Sequence, residues 1–228
     1  MPQSELDSAA VVGDLQERRW SCRGYLDTPV SDETVRRLLE MAQKAPSWCN
    51  TQPWYVTVLR GEPLEVARKE FVEYAKTHEM KPDVPFPERY EGEFQRRRRE
   101  CGWQLYESVG IAKGDREASQ EQAMENFRFF GAPAVAVLTT EQALGAYGIL
   151  DCGVYLGNFL LAAQSLGLAS IAQASIAAHS DFWRTRLALP GNRQVVAGIS
   201  FGYPDEEHPA NGFRTTRAEI GDVAELLG

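Results

Sequence analysis

Two arginines and a serine near the start of the chain have a spacing that could hold a phosphate group. Arg19, Ser21 and Arg23 are separated by single residues. In an extended segment, residues i, i+2 and i+4 point to the same side, so two guanidinium groups and a hydroxyl would converge on one point. Guanidinium groups bind phosphate through paired, charge-assisted hydrogen bonds. The alternative is a solvated turn at the basic end of a helix, in which these residues bind nothing.

The segment 45–54 has the composition of a stiffened binding loop. Pro46 and Pro53 restrict its two ends, and Asn50 and Gln52 carry amides that both donate and accept hydrogen bonds. It lies between a predicted helix and a predicted strand, where rigid elements commonly position functional loops. Such amides suit the edge of a planar heteroaromatic ring. An ordinary structured loop is the alternative.

Other motifs carry less chemistry when taken alone. Arg217 is by itself a surface arginine. The segment 198–202 matches the G-x-S-x-G hydrolase pattern, but Pro204 follows where that motif requires a helix. The four arginines of 96–99 have glutamates at helical ion-pair spacing, which predicts a solvated helix face. His179 is expected to face solvent or to cap a helix rather than to act as a general acid.

Composition restricts the class of protein. The 228 residues carry a net charge of −8 and are 43% hydrophobic, which predicts one globular unit with its own core. An acidic chain is poorly suited to sequence-independent nucleic-acid binding. The four cysteines and three histidines are scattered without the spacing of a zinc site, so no metal is predicted. Scattered thiols and a polar N-terminus without signal-peptide features predict a cytoplasmic protein.

The predicted elements place these motifs in an α+β fold, a sheet flanked by helices. Residues 1–13 are expected to form a loose tail, and Ser31 is expected to cap a helix that Pro46 ends. Further helices are predicted at 62–79, 87–109 and 116–130, and strands at 54–59, 134–138 and 194–201. The segment 151–166 is apolar on nearly all sides, which predicts a helix buried in a core or an interface. It is too short and too interrupted by polar residues and glycines to predict a membrane span.

Three of these motifs together resemble the FMN-dependent nitroreductase family. They are Arg19-x-Ser-x-Arg23, then Ala45-Pro-Ser47-x-x-Asn50-x-Gln52-Pro-Trp54, and then a late Thr-x-Arg217. The resemblance extends from about Leu15 to Ala218, and the stretches 90–102 and 126–133 are similar to the nitrobenzoate-reductase branch. It implies a single domain over 14–228, a mainly antiparallel central sheet and an intertwined homodimer with two active sites at the interface. One departure is Thr215, where some branches have lysine; Arg214 could supply the missing charge.

The resemblance also implies which residues contact the cofactor. The phosphate and ribityl chain of FMN would be held by the dispersed polar set Arg19, Ser21, Arg23 and Arg217. The flavin ring would be lined from the other subunit by Pro46, Ser47, Trp48 and Asn50, with Gln52 supporting that loop. The backbone of Ala172, Gln173 and Ala174 would pass near the reactive edge of the flavin.

The implied reaction is hydride transfer from NADH or NADPH to flavin N5, followed by ping-pong reduction of a nitroaromatic or quinone-type acceptor. No side chain is expected to act as an obligatory acid, because the chemistry belongs to the flavin. The segment 81–103 is the predicted lid, with Tyr90, Phe94 and Arg97 as substrate-contacting candidates; an arginine here could also attract an anionic substrate or the phosphate of NADPH. Alternatives are a reductive dehalogenase, a thiazoline oxidase or a flavin-dismantling enzyme on the same fold, a non-catalytic flavin-binding protein, and a generic phosphate site without flavin.

Overall fold

A four-stranded antiparallel sheet forms the centre of the computed structural model, which describes residues 7–228. Along the sheet the strands follow the order β1, β2, β4, β3, so β1 and β3 are its two edges. The strands are β1 (Tyr55–Arg60), β2 (Ala134–Glu141), β3 (Ala169–Gln173) and β4 (Arg193–Gly202). The predicted α+β class and antiparallel sheet are confirmed, and three of the four strands lie where the sequence predicts them.

Helices cover both faces of this sheet. They are α1 (Ser8–Arg18), α2 (Asp32–Ala42), α3 (Gly61–Thr77), α4 (Gly92–Ser108), α5 (Arg116–Met124), α6 (Gly145–Ser165), α7 (Ala174–Ala177) and α8 (Ser180–Arg186). The predicted cap of α2 is confirmed, since the Ser31 side chain accepts the Thr34 N–H at 3.1 Å. The helix ends at Ala42, before the predicted stop at Pro46.

The central strand β2 separates two hydrophobic cores. Ala134, Ala136 and Leu138 face the core formed with α2 and α6, whereas Val135 and Val137 face the core formed with α3 and α8. Successive strand residues point to opposite faces, so a strand buried on both sides is continuously apolar. This explains why residues 134–138 of β2 form an unbroken apolar run.

The apolar helix α6 packs in the first core. It begins at Gly145, six residues before its predicted start, and buries Phe159 against Phe201 with ring centroids 5.4 Å apart. The segment Gln142–Ser165 is long and apolar enough to cross a membrane by length and composition. Its packing against the sheet and α2 indicates a core helix with one face left open.

Two predicted boundaries are wrong at the start of a helix. The N-terminal tail was predicted over 1–13, but helix α1 begins at Ser8 because Asp7 accepts the N–H groups of Ala9 and Ala10. Residues 1–6 of that tail lie outside the described part of the chain. Helix α4 begins at Gly92 instead of 87.

Helix α5 also ends earlier than predicted, at Met124 instead of Phe130. The chain there turns through left-handed backbone at Phe129 and Phe130, with φ of 58° and 53°. The Arg68 guanidinium donates to the carbonyls of Arg128 and Ala132 and holds this turn. A contact between residues 60 or more apart in sequence therefore ends the helix.

His179 is buried, contrary to the expectation that it faces solvent. It occupies the N-cap position of α8, only 2% exposed, and its side chain makes no capping hydrogen bond. The rings of Phe71, Tyr74 and Phe127 surround it at centroid distances of 5.9, 5.6 and 5.5 Å. Packing against these rings, which the sequence around His179 did not indicate, decides its position.

This burial predicts a pH-dependent stability. Desolvation, reinforced by the nearby His78, lowers the pKa of His179, so the folded protein binds fewer protons here than the unfolded chain. We expect the free energy of unfolding to fall as pH drops below about 6.5, the ordinary histidine value, and to be unaffected by this group above it. Urea unfolding of the wild type and of His179→Phe across that range checks this. An unchanged pH slope in the variant would contradict the assignment.

Candidate functional site

Four of the residues predicted to hold a phosphate line one cleft. Arg19, Ser21, Arg23 and Arg217 converge on a space of about 1230 Å³ that also borders α6. Arg19, Ser21 and Arg23 are half-buried, and Arg217 is exposed at the rim. The fold therefore brings Arg23 and Arg217 to one cleft although they are far apart in sequence.

The edge strand β3 positions the first three of these residues. Ser21 pairs with Ser170 in a parallel bridge, and the Cys22 N–H donates to the Ser170 carbonyl at 3.2 Å. The buried Tyr25 hydroxyl donates to the Ser200 carbonyl at 3.1 Å. The segment is thus extended, as the i, i+2, i+4 argument requires.

Asn211 and Gly24, which the sequence motifs did not reveal, join this segment to the C-terminal part. The buried Asn211 side chain accepts the Arg23 N–H at 2.7 Å and donates to the Gly24 carbonyl at 2.8 Å. A Cβ atom on Gly24 would lie 2.2 Å from the His208 ring, so only glycine permits this approach. Neither residue stands in a recognisable motif, because their partners are more than 180 residues away.

The electrostatics of the cleft favour an anion. Burial, together with the charge of Arg217, lowers the pKa of Arg19, and burial lowers that of Arg23. Among the described residues, no salt bridge joins Arg19, Arg23 or Arg217 to a carboxylate. Arg214 lies over the Trp20 ring at 4.1 Å and also borders the cleft. Cations held together without an acidic partner form a site for a multiply charged anion.

The proline-bounded loop, residues 45–54, has a left-handed backbone at three positions, and its own side chains stabilise it. Cys49, Asn50 and Gln52 have φ of 50°, 56° and 45°. The Gln52 N–H donates to Ser47 Oγ at 2.9 Å, and the Gln52 side chain donates to the Asn50 carbonyl at 3.2 Å. Gln43, the residue after α2, adds a third tie by donating to Gln52 Oε1 at 2.9 Å. Strained conformations of this kind persist where the surroundings hold them, often at functional sites.

The loop and the arginine cleft are separate within one chain. Pro46, Trp48, Asn50 and Gln52 are exposed and Ser47 is half-buried, yet none of these residues lines the cleft. One copy of the chain therefore presents the loop and the arginine cleft on different parts of its surface.

Residues 172–174, predicted to pass near the edge of the ligand, lie at the end of β3. This strand was not predicted from the sequence. Ala172 and Ala174 are exposed, whereas the Gln173 side chain points inward. Gln173 donates to the Asn126 carbonyl at 2.9 Å and accepts a hydrogen bond from the Ser200 hydroxyl. The backbone of this segment and the exposed Ala172 and Ala174 are thus available to a ligand, whereas the Gln173 side chain is not.

The predicted lid is partly fixed to the core. The Lys81 N–H donates to the Ala178 carbonyl at 2.7 Å. The Asp83 carboxylate accepts from the Arg184 guanidinium at 2.9 Å and from the Val195 N–H at 2.8 Å. These ties fix residues 81–83, at the start of the segment, to the chain around α8 and β4.

The substrate-contacting candidates lie on or before helix α4. Tyr90, Phe94 and Arg97 are exposed, and none lines the arginine cleft. Cys101, farther along α4, does line it. The exposed candidates and the cleft-lining Cys101 thus lie on the same part of the chain, on and just before α4.

Comparisons with known proteins agree along almost the whole chain. A model of the Nitroreductase family matches residues 17–203. The nitroreductase NfnB of Mycolicibacterium smegmatis is 34% identical over 219 residues, 96% of this chain and 93% of that protein. A 4-nitrobenzoate reductase of Nocardioides sp. is 33% identical over 225 residues, 96% of this chain and 89% of that protein. The predicted similarity to the nitrobenzoate-reductase branch is confirmed.

Solved structures of nitroreductases are also similar to this chain over almost its whole length. The crystal structure of the FMN-dependent nitroreductase NfnB from Mycobacterium smegmatis in complex with NADPH has a TM-score of 0.93 and 33% identity, and covers 97% of this chain and 100% of that one. An FMN- and NADPH-dependent NfnB from Sphigopyxis sp. strain HMH has a TM-score of 0.91 and 30% identity, covering 95% of this chain and 99% of that one. On its motifs, its fold and these matches, the chain belongs to the nitroreductase family.

Proposed function

We propose that this protein is an FMN-dependent oxidoreductase that takes electrons from NADPH or NADH and reduces nitroaromatic or quinone-type acceptors. The cleft that gathers three arginines without a described carboxylate partner is the observation that carries the proposal. The two similar NfnB structures support FMN and NADPH. Relatives named 4-nitrobenzoate reductase and nitrobenzene nitroreductase support nitroaromatic acceptors.

The residues of the cleft fit FMN. A phosphate dianion would relieve the repulsion between Arg19 and Arg217, with Arg23 and the Ser21 hydroxyl as further donors. From Ser170, beside Ser21, the edge of β3 runs about 10 Å to residues 172–174 at the usual strand rise. The isoalloxazine ring would lie along that edge and would face its backbone groups. The inward-pointing Gln173 side chain would not contact the ring.

A second copy of the chain would complete the site. The loop bearing Ser47, Trp48 and Asn50 does not reach the cleft of its own chain, so we assign it to the ring of the partner's FMN. The open face of α6 supports a homodimer, because it exposes apolar side chains at helical spacing. These are Leu144, Tyr147, Leu150 and Val154, and the C-terminal segment exposes Ile220, Val223, Leu226 and Leu227.

The protein's part in the reaction is to bind, orient and exclude water. Bound FMN supplies the chemistry of accepting a hydride and passing electrons to the acceptor. Arg19 and Arg23 would hold the phosphate, and the exposed Asn50 amide would hydrogen-bond a ring edge. Backbone N–H groups at 172–174 would stabilise negative charge on the reduced ring. No side chain here is needed to donate a proton.

An absorption spectrum of the purified protein, recorded before and after anaerobic NADPH or NADH, tests the proposal. We expect a flavin spectrum that bleaches with at least one donor, and ping-pong kinetics with a nitroaromatic. A protein that stays colourless after incubation with FMN would overturn the proposal. Intersecting double-reciprocal lines would contradict the expectation that donor and acceptor bind in the same place. Flavin that no donor bleaches would instead indicate a non-catalytic flavin-binding protein. An anaerobic acceptor panel separates nitro reduction from dehalogenation, thiazoline oxidation or flavin dismantling.

The exposed residues around α4 are proposed to contact the acceptor. We expect Phe94→Ala to raise the KM for an aromatic acceptor about 3- to 10-fold, because lost aromatic contacts of this kind amount to about 0.5–1.5 kcal/mol. FMN content should not change, since Phe94 lies outside the cleft. Steady-state kinetics with Val66→Ala, an exposed apolar position on α3, as the control checks this. An unchanged KM would exclude Phe94 from the acceptor site.

We further propose a cytoplasmic location and no nucleic-acid, membrane or metal partner. All four cysteines are free, as expected in a reducing compartment. The net charge of −8 disfavours binding to polyanions.

A further inference from the structure

A carboxylate lies in the middle of the most apolar helix of the protein. Asp151 of α6 is 7% exposed, and α6 contains neither lysine nor arginine. Burying an ionised carboxylate costs several kcal/mol unless it is paired or hydrogen-bonded. Within the described residues Asp151 takes part in no salt bridge, so its position requires another explanation.

Its hydrogen-bond partner is the backbone of the proline-bounded loop. Oδ1 and Oδ2 of Asp151 lie 3.3 and 3.2 Å from the Trp48 nitrogen, which donates to both. A hydrogen bond to an ionised acceptor is about twice as strong as one between neutral groups. This bond spans 103 residues and enters the loop one residue before its left-handed turn at Cys49 and Asn50.

The same face of α6 also holds the Trp48 side chain. Tyr147 lies one helical turn before Asp151 and packs edge-on against the Trp48 ring, with centroids 4.0 Å apart and planes at 88°. Two adjacent positions of one helix thus fix the backbone and the ring of Trp48. The other side-chain ties of the loop come from within it, from Gln43, which follows α2, and from Thr140 of β2, whose hydroxyl donates to the Pro53 carbonyl at 3.0 Å.

We propose that Asp151 is the positioning residue of this loop, and that its charge also tunes the partner subunit's flavin, which the loop would contact. This rests on the proposed FMN site. The carboxylate holds the strained backbone at 48–50 in the conformation that meets the ring. A buried negative charge near the ring also disfavours the reduced, negatively charged flavin and so lowers its midpoint potential.

Two substitutions separate these effects in the FMN-loaded protein. Asp151→Asn keeps an oxygen acceptor for Trp48 and removes the charge, so we expect an unchanged acceptor KM and a higher midpoint potential. Asp151→Ala removes the acceptor as well, so we expect kcat/KM for a nitroaromatic to fall about 10-fold or more. FMN affinity should change little in either variant, because the phosphate would be held in the arginine cleft and not by this loop. Asp27→Asn, an exposed carboxylate, is the control for the charge change.

The outcomes are decisive for each part. Wild-type kcat/KM in Asp151→Ala would overturn the positioning assignment, and an unchanged potential in Asp151→Asn would overturn the electrostatic one. Because Asp151→Asn retains the hydrogen bond, it tests the charge even if the alanine variant folds poorly. A wild-type protein that binds no FMN would contradict the proposed function itself, which is a different result from either.

Discussion

Arg23→Ala is expected to raise the dissociation constant of FMN about 10- to 150-fold. A hydrogen bond to a charged group contributes about 1.5–3 kcal/mol, and the substitution removes a fork that can bind phosphate through two nitrogens. Among the described residues, the Arg23 guanidinium donates only to the Ser21 carbonyl, at 3.1 Å, and lies over the Phe213 ring at 5.4 Å. The other guanidinium nitrogens are therefore available to the ligand. Fluorescence titration of the apoprotein with FMN measures the change.

The controls separate the phosphate contact from a general loss of charge. Arg23→Lys should recover only part of the affinity, because an ammonium group cannot reproduce the guanidinium geometry. Arg36→Ala, at an exposed position on α2, should leave the affinity unchanged. Wild-type affinity in Arg23→Ala would remove this residue from the phosphate site and leave Arg19 and Arg217 to explain the cleft.

Phe71→Ala is expected to lower the free energy of unfolding by about 3–5 kcal/mol, the usual cost of emptying a buried phenylalanine site. Phe71 is fully buried at the centre of the second core. Its ring lies 4.8 Å from Phe182 and 5.0 Å from Trp183, and is stacked on Phe129 at 5.7 Å. Loss of the ring also removes support from the left-handed turn that begins at Phe129. Urea unfolding followed by circular dichroism measures the effect.

Phe94→Ala provides the matched comparison for this stability effect. Phe94 is 70% exposed, so the same substitution there should change the free energy of unfolding by less than about 0.5 kcal/mol. Similar losses in the two variants would mean that Phe94 is buried in solution, for example against a second copy. A small loss in Phe71→Ala would show that the aromatic cluster collapses around the gap.

Local signals were sufficient for most of the elements. The Ser31 cap, the apolar spacing of α2 and the β-branched runs of β2 and β4 each specify their structure through neighbours in sequence. Strand β3 escaped prediction because its five residues, Ala169–Gln173, are mostly small and carry little strand preference. It exists because β4 pairs with it.

The candidate site shows the same division between local and long-range information. The residue types and spacing of Arg19, Ser21 and Arg23 predicted a phosphate grip, and the 45–54 loop predicted contact with a planar ring. The reinforcing residues Asn211 and Asp151 were not predicted. Their partners lie 188 and 103 residues away, and a lone polar residue in a sequence gives no sign of such a partner.

The sequence by itself determined the family, the fold class and the chemical types at the site, because these depend on motif order and on local periodicity. Only the tertiary structure decided that the phosphate cleft and the ring loop lie apart on one chain, that His179 is buried and that α6 anchors Trp48. Each of these depends on which distant surfaces pack together. Such packing is set by the shape and burial of the whole core, and no short stretch of residues contains it.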